Sequence, residues 1–145
     1  MKISARNKFS ATVTDVERGV VSAHITLFTY GRVNFSSVIT LASVKDMALQ
    51  PGDTVTVFFK ASHVMLSTHY LNGISARNQL EGTVEEVIKG MVNMEITLVM
   101  EGGERIVSTI THEAAKELGL LPGQKVVAIV KSTDIMIIKN EKENQ

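Results

Sequence analysis

The sequence predicts a mainly β protein made of two small five-stranded barrels in tandem, each with one short helix. Three observations lead there. The chain repeats itself once, each copy reads mostly with the two-residue period of a strand, and one stretch per copy carries helix start and stop signals.

The repeat is direct. Ile3-Ser4-Ala5-Arg6-Asn7 returns as Ile74-Ser75-Ala76-Arg77-Asn78, a shift of 71 residues. At that shift and without a gap, Thr12-Val13 falls on Thr83-Val84, Gly19 on Gly90, and Ile25-Thr26-Leu27 on Ile96-Thr97-Leu98. Ile39-Thr40 falls on Ile110-Thr111, Pro51-Gly52 on Pro122-Gly123, Lys60 on Lys131 and Met65 on Met136. On the order of a third of the overlaid positions are identical, well above chance for a gapless match. A period this long exceeds that of solenoid repeats, so each copy is read as a complete small domain, residues 1–69 and 70–145. The linker falls around Thr68 to Gly73, where Asn72-Gly73 is a turn signal, and the polar tail from Asn140 to Gln145 is expected to fray.

The elements of the second copy follow in order. Leu80 to Val87 alternates in part and is rich in β-branched residues, and Val92 to Val99 alternates apolar and polar. Gly102-Gly103 reads as a hairpin turn into Arg105 to Ile110. Thr111 is placed to cap a short helix, with Glu113 in its first turn and Gly119 at its end. Pro122-Gly123 turns the chain into Lys125 to Val130, and a last strand spans Asp134 to Ile138. Five strands with a helix between the third and fourth suit an OB-like barrel. A barrel of about 65 residues has little core of its own, so association between subunits is expected.

Composition narrows the function. Lys+Arg and Asp+Glu both total 15 in 145 residues, so the basic excess usual in nucleic-acid binders is missing. There is no cysteine, which removes disulfides, thiolate metal sites and cysteine nucleophiles. The start of the chain lacks the apolar region of a secretory signal, and no apolar run reaches the roughly 18 residues of a membrane span, so a cytoplasmic protein with no membrane partner is expected.

No enzymatic motif is present. His112-Glu113-Ala114-Ala115-Lys116 begins like a zincin helix but has Lys116 where the second histidine is needed. The other histidines, His24, His63 and His69, have no second ligand at usable spacing, and His24 is overlaid on Glu95. Walker A, G-x-G-x-x-G and G-x-S-x-G patterns are absent.

The polar residues kept in both copies are Ser4/Ser75, Arg6/Arg77, Asn7/Asn78, Thr40/Thr111 and Lys60/Lys131, with Ala61 overlaid on Ser132. The set is rich in donors and holds no carboxylate, as a tetrahedral dianion requires. Thr40 and Thr111 also stand at helix starts, where free backbone N–H groups favour anions. Structural readings remain open beside this one. The serines can hydrogen-bond a strand start, the threonines cap helices, the lysines protect strand edges, the arginines form surface ion pairs and the asparagines serve turns. A structural role would be copied by duplication as faithfully as a binding role.

Ser-Ala-Arg-Asn near the start of each copy, Ile-Thr before the helix, Pro-Gly before a strand and the Lys-Ala/Ser close together resemble the molybdenum-binding Mop domain, a TOBE-like domain found in molbindins. The resemblance covers residues 2–68 and 73–139, so the chain looks like a didomain molbindin. It implies non-catalytic, cytoplasmic binding of molybdate or tungstate for storage and homeostasis, with no cofactor. It also implies a homotrimer with oxyanion sites between subunits, where the Ser-x-Arg segment of one domain meets the Lys-Ala/Ser segment of another. Carried over residue by residue, the site residues are Ser4, Arg6, Thr40, Lys60 and Ala61, and Ser75, Arg77, Thr111, Lys131 and Ser132. No metal is coordinated directly by side chains, because the metal arrives as its oxyanion. A further site on a threefold axis is not assigned to residues. Two alternatives stand beside this reading: an OB-type module for single-stranded nucleic acid, and an oxyanion-sensing partner of another protein. The first is disfavoured by neutral charge and by 5% aromatic content confined largely to the first copy.

Overall fold

The structure, a computed structural model, describes residues 2–139; the tail expected to fray lies outside them. The first copy folds as β1 (Asn7–Arg18), β2 (Ser22–Thr29), β3 (Asn34–Thr40), α1 (Leu41–Met47), β4 (Thr54–Phe59), a 3-10 turn (Ala61–His63) and β5 (Met65–Ser67). The second repeats it as β6 (Asn78–Lys89), β7 (Asn93–Met100), β8 (Arg105–Thr111), α2 (His112–Leu118), β9 (Lys125–Val130), a 3-10 turn (Ser132–Asp134) and β10 (Met136–Lys139). The mainly β fold with one short helix per copy is as the sequence predicts.

Period-two patterning makes the strands. Along β1, Asn7, Phe9, Ala11 and Val13 are buried while Lys8, Ser10 and Thr12 are exposed. The register slips between Val13 and Asp15, and at the equivalent Val84 and Glu86, which lets the long first strand of each copy coil. Thr111 caps α2 by accepting from Ala114 N at 3.0 Å, and Gly119 ends it in the left-handed region at φ 59°. α1 is capped likewise by Thr40, but its left-handed end falls on Ala48, at φ 47°.

Sheet order shows what the repeat alone does not. One sheet runs β10-β4-β1-β2-β3 and the other β5-β9-β6-β7-β8, with every neighbouring pair antiparallel. Each copy therefore gives its last strand to the other copy's sheet: Met136 pairs with Phe58, and Met65 with Ile129. The last strand begins at Met136 rather than at the expected Asp134, because residues 132–134 form the 3-10 turn that precedes the crossing strand. Buried hydroxyls fasten the exchange symmetrically, Ser37 Oγ donating to Ile135 O at 2.7 Å and Ser108 Oγ to Val64 O at 2.6 Å.

The exchange also merges the two small cores. Val13, Leu27, Phe35 and Val57 of the first copy belong to one buried cluster with Val84, Leu98, Ile106 and Val130 of the second. Phe9, Phe35 and Phe59 pack together in the first copy with ring centroids 5.4–5.9 Å apart. No helix among the described residues is long and apolar enough to cross a membrane.

Candidate functional site

Strand register brings the repeated polar segments together. Asn7 opens β1 opposite Phe59, the last residue of β4, so Arg6 and Lys60 leave the sheet side by side. In the second copy Asn78 pairs with Val130, which sets Arg77 beside Lys131 and Ser132. Each strand end abuts the edge strand of the other copy through its asparagine. Asn7 Nδ2 donates to Val107 O at 2.9 Å while its Oδ1 accepts from Val107 N at 2.8 Å. Asn78 makes the same pair with Ser36, at 2.9 and 2.8 Å, and also donates to Val130 O at 3.1 Å. These buried amides extend the β ladder across the junction, a role distinct from the local turns open to asparagine in the sequence.

The frame is common to both junctions, but the lining is not. At the second junction, Ser132 Oγ lies 3.1 Å from Ser36 Oγ, which lies 2.5 Å from His24 Nε2. His24, Ser36, Arg77 and Asn78 line one cleft of ≈ 340 Å³ that has no carboxylate in its wall. Arg77 and Lys131 are exposed, and neither side chain has an ion-pair or hydrogen-bond partner among the described residues. Two uncompensated cations beside hydroxyl and imidazole groups form an anion-attracting end of the sheet.

At the first junction the equivalents of His24, Ser36 and Ser132 are Glu95, Val107 and Ala61. Arg6 grips Glu95 with both terminal nitrogens at 2.9 Å. That fork of hydrogen bonds, reinforced by the opposite charge, holds the Glu95 carboxyl below its ordinary range and raises the Arg6 guanidinium. Arg6 is thus an ion-pair partner here, and Lys60 is the cation left without a partner among the described residues.

The predicted serines come two residues before the arginines, whereas the predicted threonines stand apart from these ends. Ser4 and Ser75 are exposed in the segments preceding β1 and β6. Thr40 and Thr111 lie four residues along β3 and β8 from Ser36 and Val107, about 13 Å at the ordinary strand rise. Their hydroxyl oxygens accept from Ser43 N and Ala114 N as helix caps. One chain therefore does not bring the threonines to the Arg/Lys ends. Sequence reasoning missed His24 and Ser36 on one side and Glu95 on the other. The overlay itself carries the signal, because it puts unlike residues at these positions, which polar residues kept in both copies do not reveal.

Among the described residues no group of three or more His, Asp or Glu side chains is placed to hold a metal ion. His112 instead points its Nε2 at Gly90 O, 2.8 Å away. Another cleft, beside α2 and of ≈ 530 Å³, is walled by Met94, Ala115, Leu120 and Leu121 as well as Lys89 and Lys116, a poorer match to a small dianion.

The TOBE domain is matched twice along this chain, over residues 3–66 and 74–137. The chain belongs to the TOBE-domain family. This TOBE-domain protein is 36% identical over 137 residues to the molybdenum transport protein ModE of Azotobacter vinelandii, and 38% identical over 138 residues to the molybdenum-pterin-binding protein MopA of Rhodobacter capsulatus. Those alignments cover 94% of this chain but 51% and 52% of the relatives, so the chain spans about half their length. Its structure matches that of the cytoplasmic molybdate-binding protein ModG, in a form with molybdate bound, at a TM-score of 0.91 and 39% identity. That match covers 97% of this chain and 100% of the other. These relatives are named for binding or transporting molybdenum, not for a reaction.

Proposed function

We propose that this TOBE-domain protein binds molybdate or tungstate reversibly and without catalysis, as a cytoplasmic store and buffer of the oxyanion. The observation that carries the reading is the full-length likeness to a molybdate-binding protein, in both chains, at 39% identity. The second junction gives it a physical basis, because Arg77 and Lys131 offer charge that no carboxylate among the described residues neutralises. Ser75 and Ser132 add hydroxyl donors to that end. Ser4, Arg6, Lys60 and Ala61 form the corresponding end of the first copy. Thr40 and Thr111 join the sites across subunits of a homotrimer, since a second chain is needed to bring them to the cations. The apolar pairs Val20-Val21 and Met91-Val92, exposed at equivalent hairpin tips, are surface that assembly would cover. Selection against sulfate then rests on cavity size, because charge and shape are alike.

The nucleic-acid alternative has no stacking platform in the core aromatics, as Phe9, Phe35 and Phe59 are all buried. Calorimetric titration of anion-stripped protein with molybdate, with sulfate as control, tests the reading. Arg77→Ala and Lys131→Ala each remove a charge-assisted hydrogen bond worth about 1.5–3 kcal/mol. Affinity is expected to fall roughly tenfold to a hundredfold with the unfolding temperature unchanged. Absence of heat with the parent protein, and no molybdenum retained through gel filtration, refutes the function.

A further inference from the structure

We propose that the residue at the paired positions 24 and 95 sets how strongly each junction takes an oxyanion: Glu95 occupies Arg6 and closes the first junction, whereas His24 leaves Arg77 open and adds a donor to the second. This rests on the oxyanion-binding reading and assigns its two sites unequal strength.

The duplication provides the internal comparison. Both junctions share one scaffold: the asparagine bridges to Val107 and Ser36, and the buried Ser37 and Ser108 bonds, are the same in each. The shared backbone frame presents positions 24 and 95 alike, and a carboxylate at one stands where an imidazole stands at the other. Arg6 shows how far the arginine reaches, since both its terminal nitrogens meet Glu95 at 2.9 Å. A carboxylate held by that fork presents two oxygens to the guanidinium, as two oxygens of a tetrahedral oxyanion would. Glu95 is in this sense a built-in competitor, which a ligand must displace before it gains Arg6.

The second junction lacks that competitor. His24 makes its hydrogen bond to Ser36 and not to Arg77, although His24 and Arg77 line the same cleft. The nearest carboxylate in register is Glu17, opposite His24 on β1, and it is not within ion-pair distance of His24 or Arg77. The other two differences point the same way. Ser36 and Ser132 supply hydroxyls where the first junction has Val107 and Ala61. Three neighbouring positions thus favour an anion at one end and disfavour it at the other.

The test is calorimetric titration with molybdate of the parent chain, Glu95→Gln, His24→Glu and His24→Gln, with Glu85→Gln as a control that breaks the exposed Glu85–Arg105 pair instead. Glu95→Gln keeps the size and removes the charge, and is expected to strengthen the weaker class of sites at least tenfold. His24→Glu is expected to weaken the stronger class at least tenfold, and by more than His24→Gln, which removes the imidazole without adding a charge. Melting curves of each variant check that the fold is kept. Binding by the parent with isotherms unchanged in both Glu95→Gln and His24→Glu overturns this inference and leaves the function standing. No heat from the parent or from Glu95→Gln overturns both.

Discussion

Asn78 gives the most demanding test of how the two copies are joined. The residue is 2% exposed and its side chain makes three hydrogen bonds, to Ser36 N, Ser36 O and Val130 O, at 2.8, 2.9 and 3.1 Å. At about 1 kcal/mol for each net hydrogen bond, Asn78→Ala is expected to cost about 3 kcal/mol. For a chain of this length that lowers the unfolding midpoint by about 6–12 °C. Asn7 makes two such bonds, to Val107 O and Val107 N, so Asn7→Ala should cost about 2 kcal/mol, the smaller of the two losses.

Asn78→Asp separates hydrogen bonding from shape. The substitution keeps the volume but sets a carboxylate oxygen where Nδ2 now donates to two carbonyls. An ionised, buried Asp there should cost at least as much as alanine, about 3–5 kcal/mol at pH 7. Protonation restores one donor, so the folded-state pKa of this Asp rises above its unfolded value of about 3.9. The sign follows: the penalty is full above the raised pKa and is relieved as pH falls through it, by about 1.4 kcal/mol per pH unit down to the unfolded value. Urea unfolding followed by circular dichroism at pH 7 and pH 5, at one fixed protein concentration, reads both effects. An Asp variant as stable as the parent at pH 7, or an alanine variant within about 0.5 kcal/mol of it, would refute the bridging role.

Three further expectations follow from the backbone. A Cβ added at Gly102 would stand 1.9 Å from Gly31 O, where equivalent hairpin turns of the two copies meet, so Gly102→Ala should lower stability by about 1–3 kcal/mol in thermal unfolding. A parent-like midpoint would show that the turns part freely. Ala48 ends α1 at φ 47°, where the second copy has Gly119, so Ala48→Gly is expected to stabilise by about 1 kcal/mol, with Gly119→Ala of opposite sign in the same assay. Residues 1–69 alone lack β10 beside β4 and β9 beside β5, so two copies should exchange their β5 strands. Gel filtration is expected to give a dimer or a multiple of it, and a stable folded monomer would speak against the exchange.

Much of the fold is written in local pattern, and the part that is not has a physical reason. The alternating strands, the cap at Thr111 and the stop at Gly119 each depend on neighbours in sequence, and each appears in the structure. The partner of each fifth strand depends on something else. β5 and β10 are equivalent, and so are β4 and β9, so patterning gives the same score to pairing within a copy and across copies. The 3-10 turns at residues 61–63 and 132–134, with the Ser37 and Ser108 bonds, accompany the crossed pairing. The site divides in the same way. Arg77, Lys131 and Ser132 were visible as donors that the duplication kept or enriched. Asn78 was visible too, but as a donor, whereas its amide is spent on the edge strand of the other copy. The hydroxyls of Thr40 and Thr111 are likewise engaged as caps.

Strand exchange also explains why fusing the copies matters. Each junction draws Arg and Lys from the end of one copy's sheet and its opposing wall from β2 and β3, or β7 and β8, of the other. In a symmetric pair of separate identical chains, the residue facing the arginine would be the same at both junctions. A carboxylate there would close both, and a histidine would leave both open. Within one chain the two walls are encoded separately, so Glu95 can face Arg6 while His24 shares a cleft with Arg77. On the proposed reading, duplication turns one symmetric pair of sites into two that hold the same anion with different strength. A buffer with unequal sites releases its ligand over a wider range of free concentration than one with equal, independent sites.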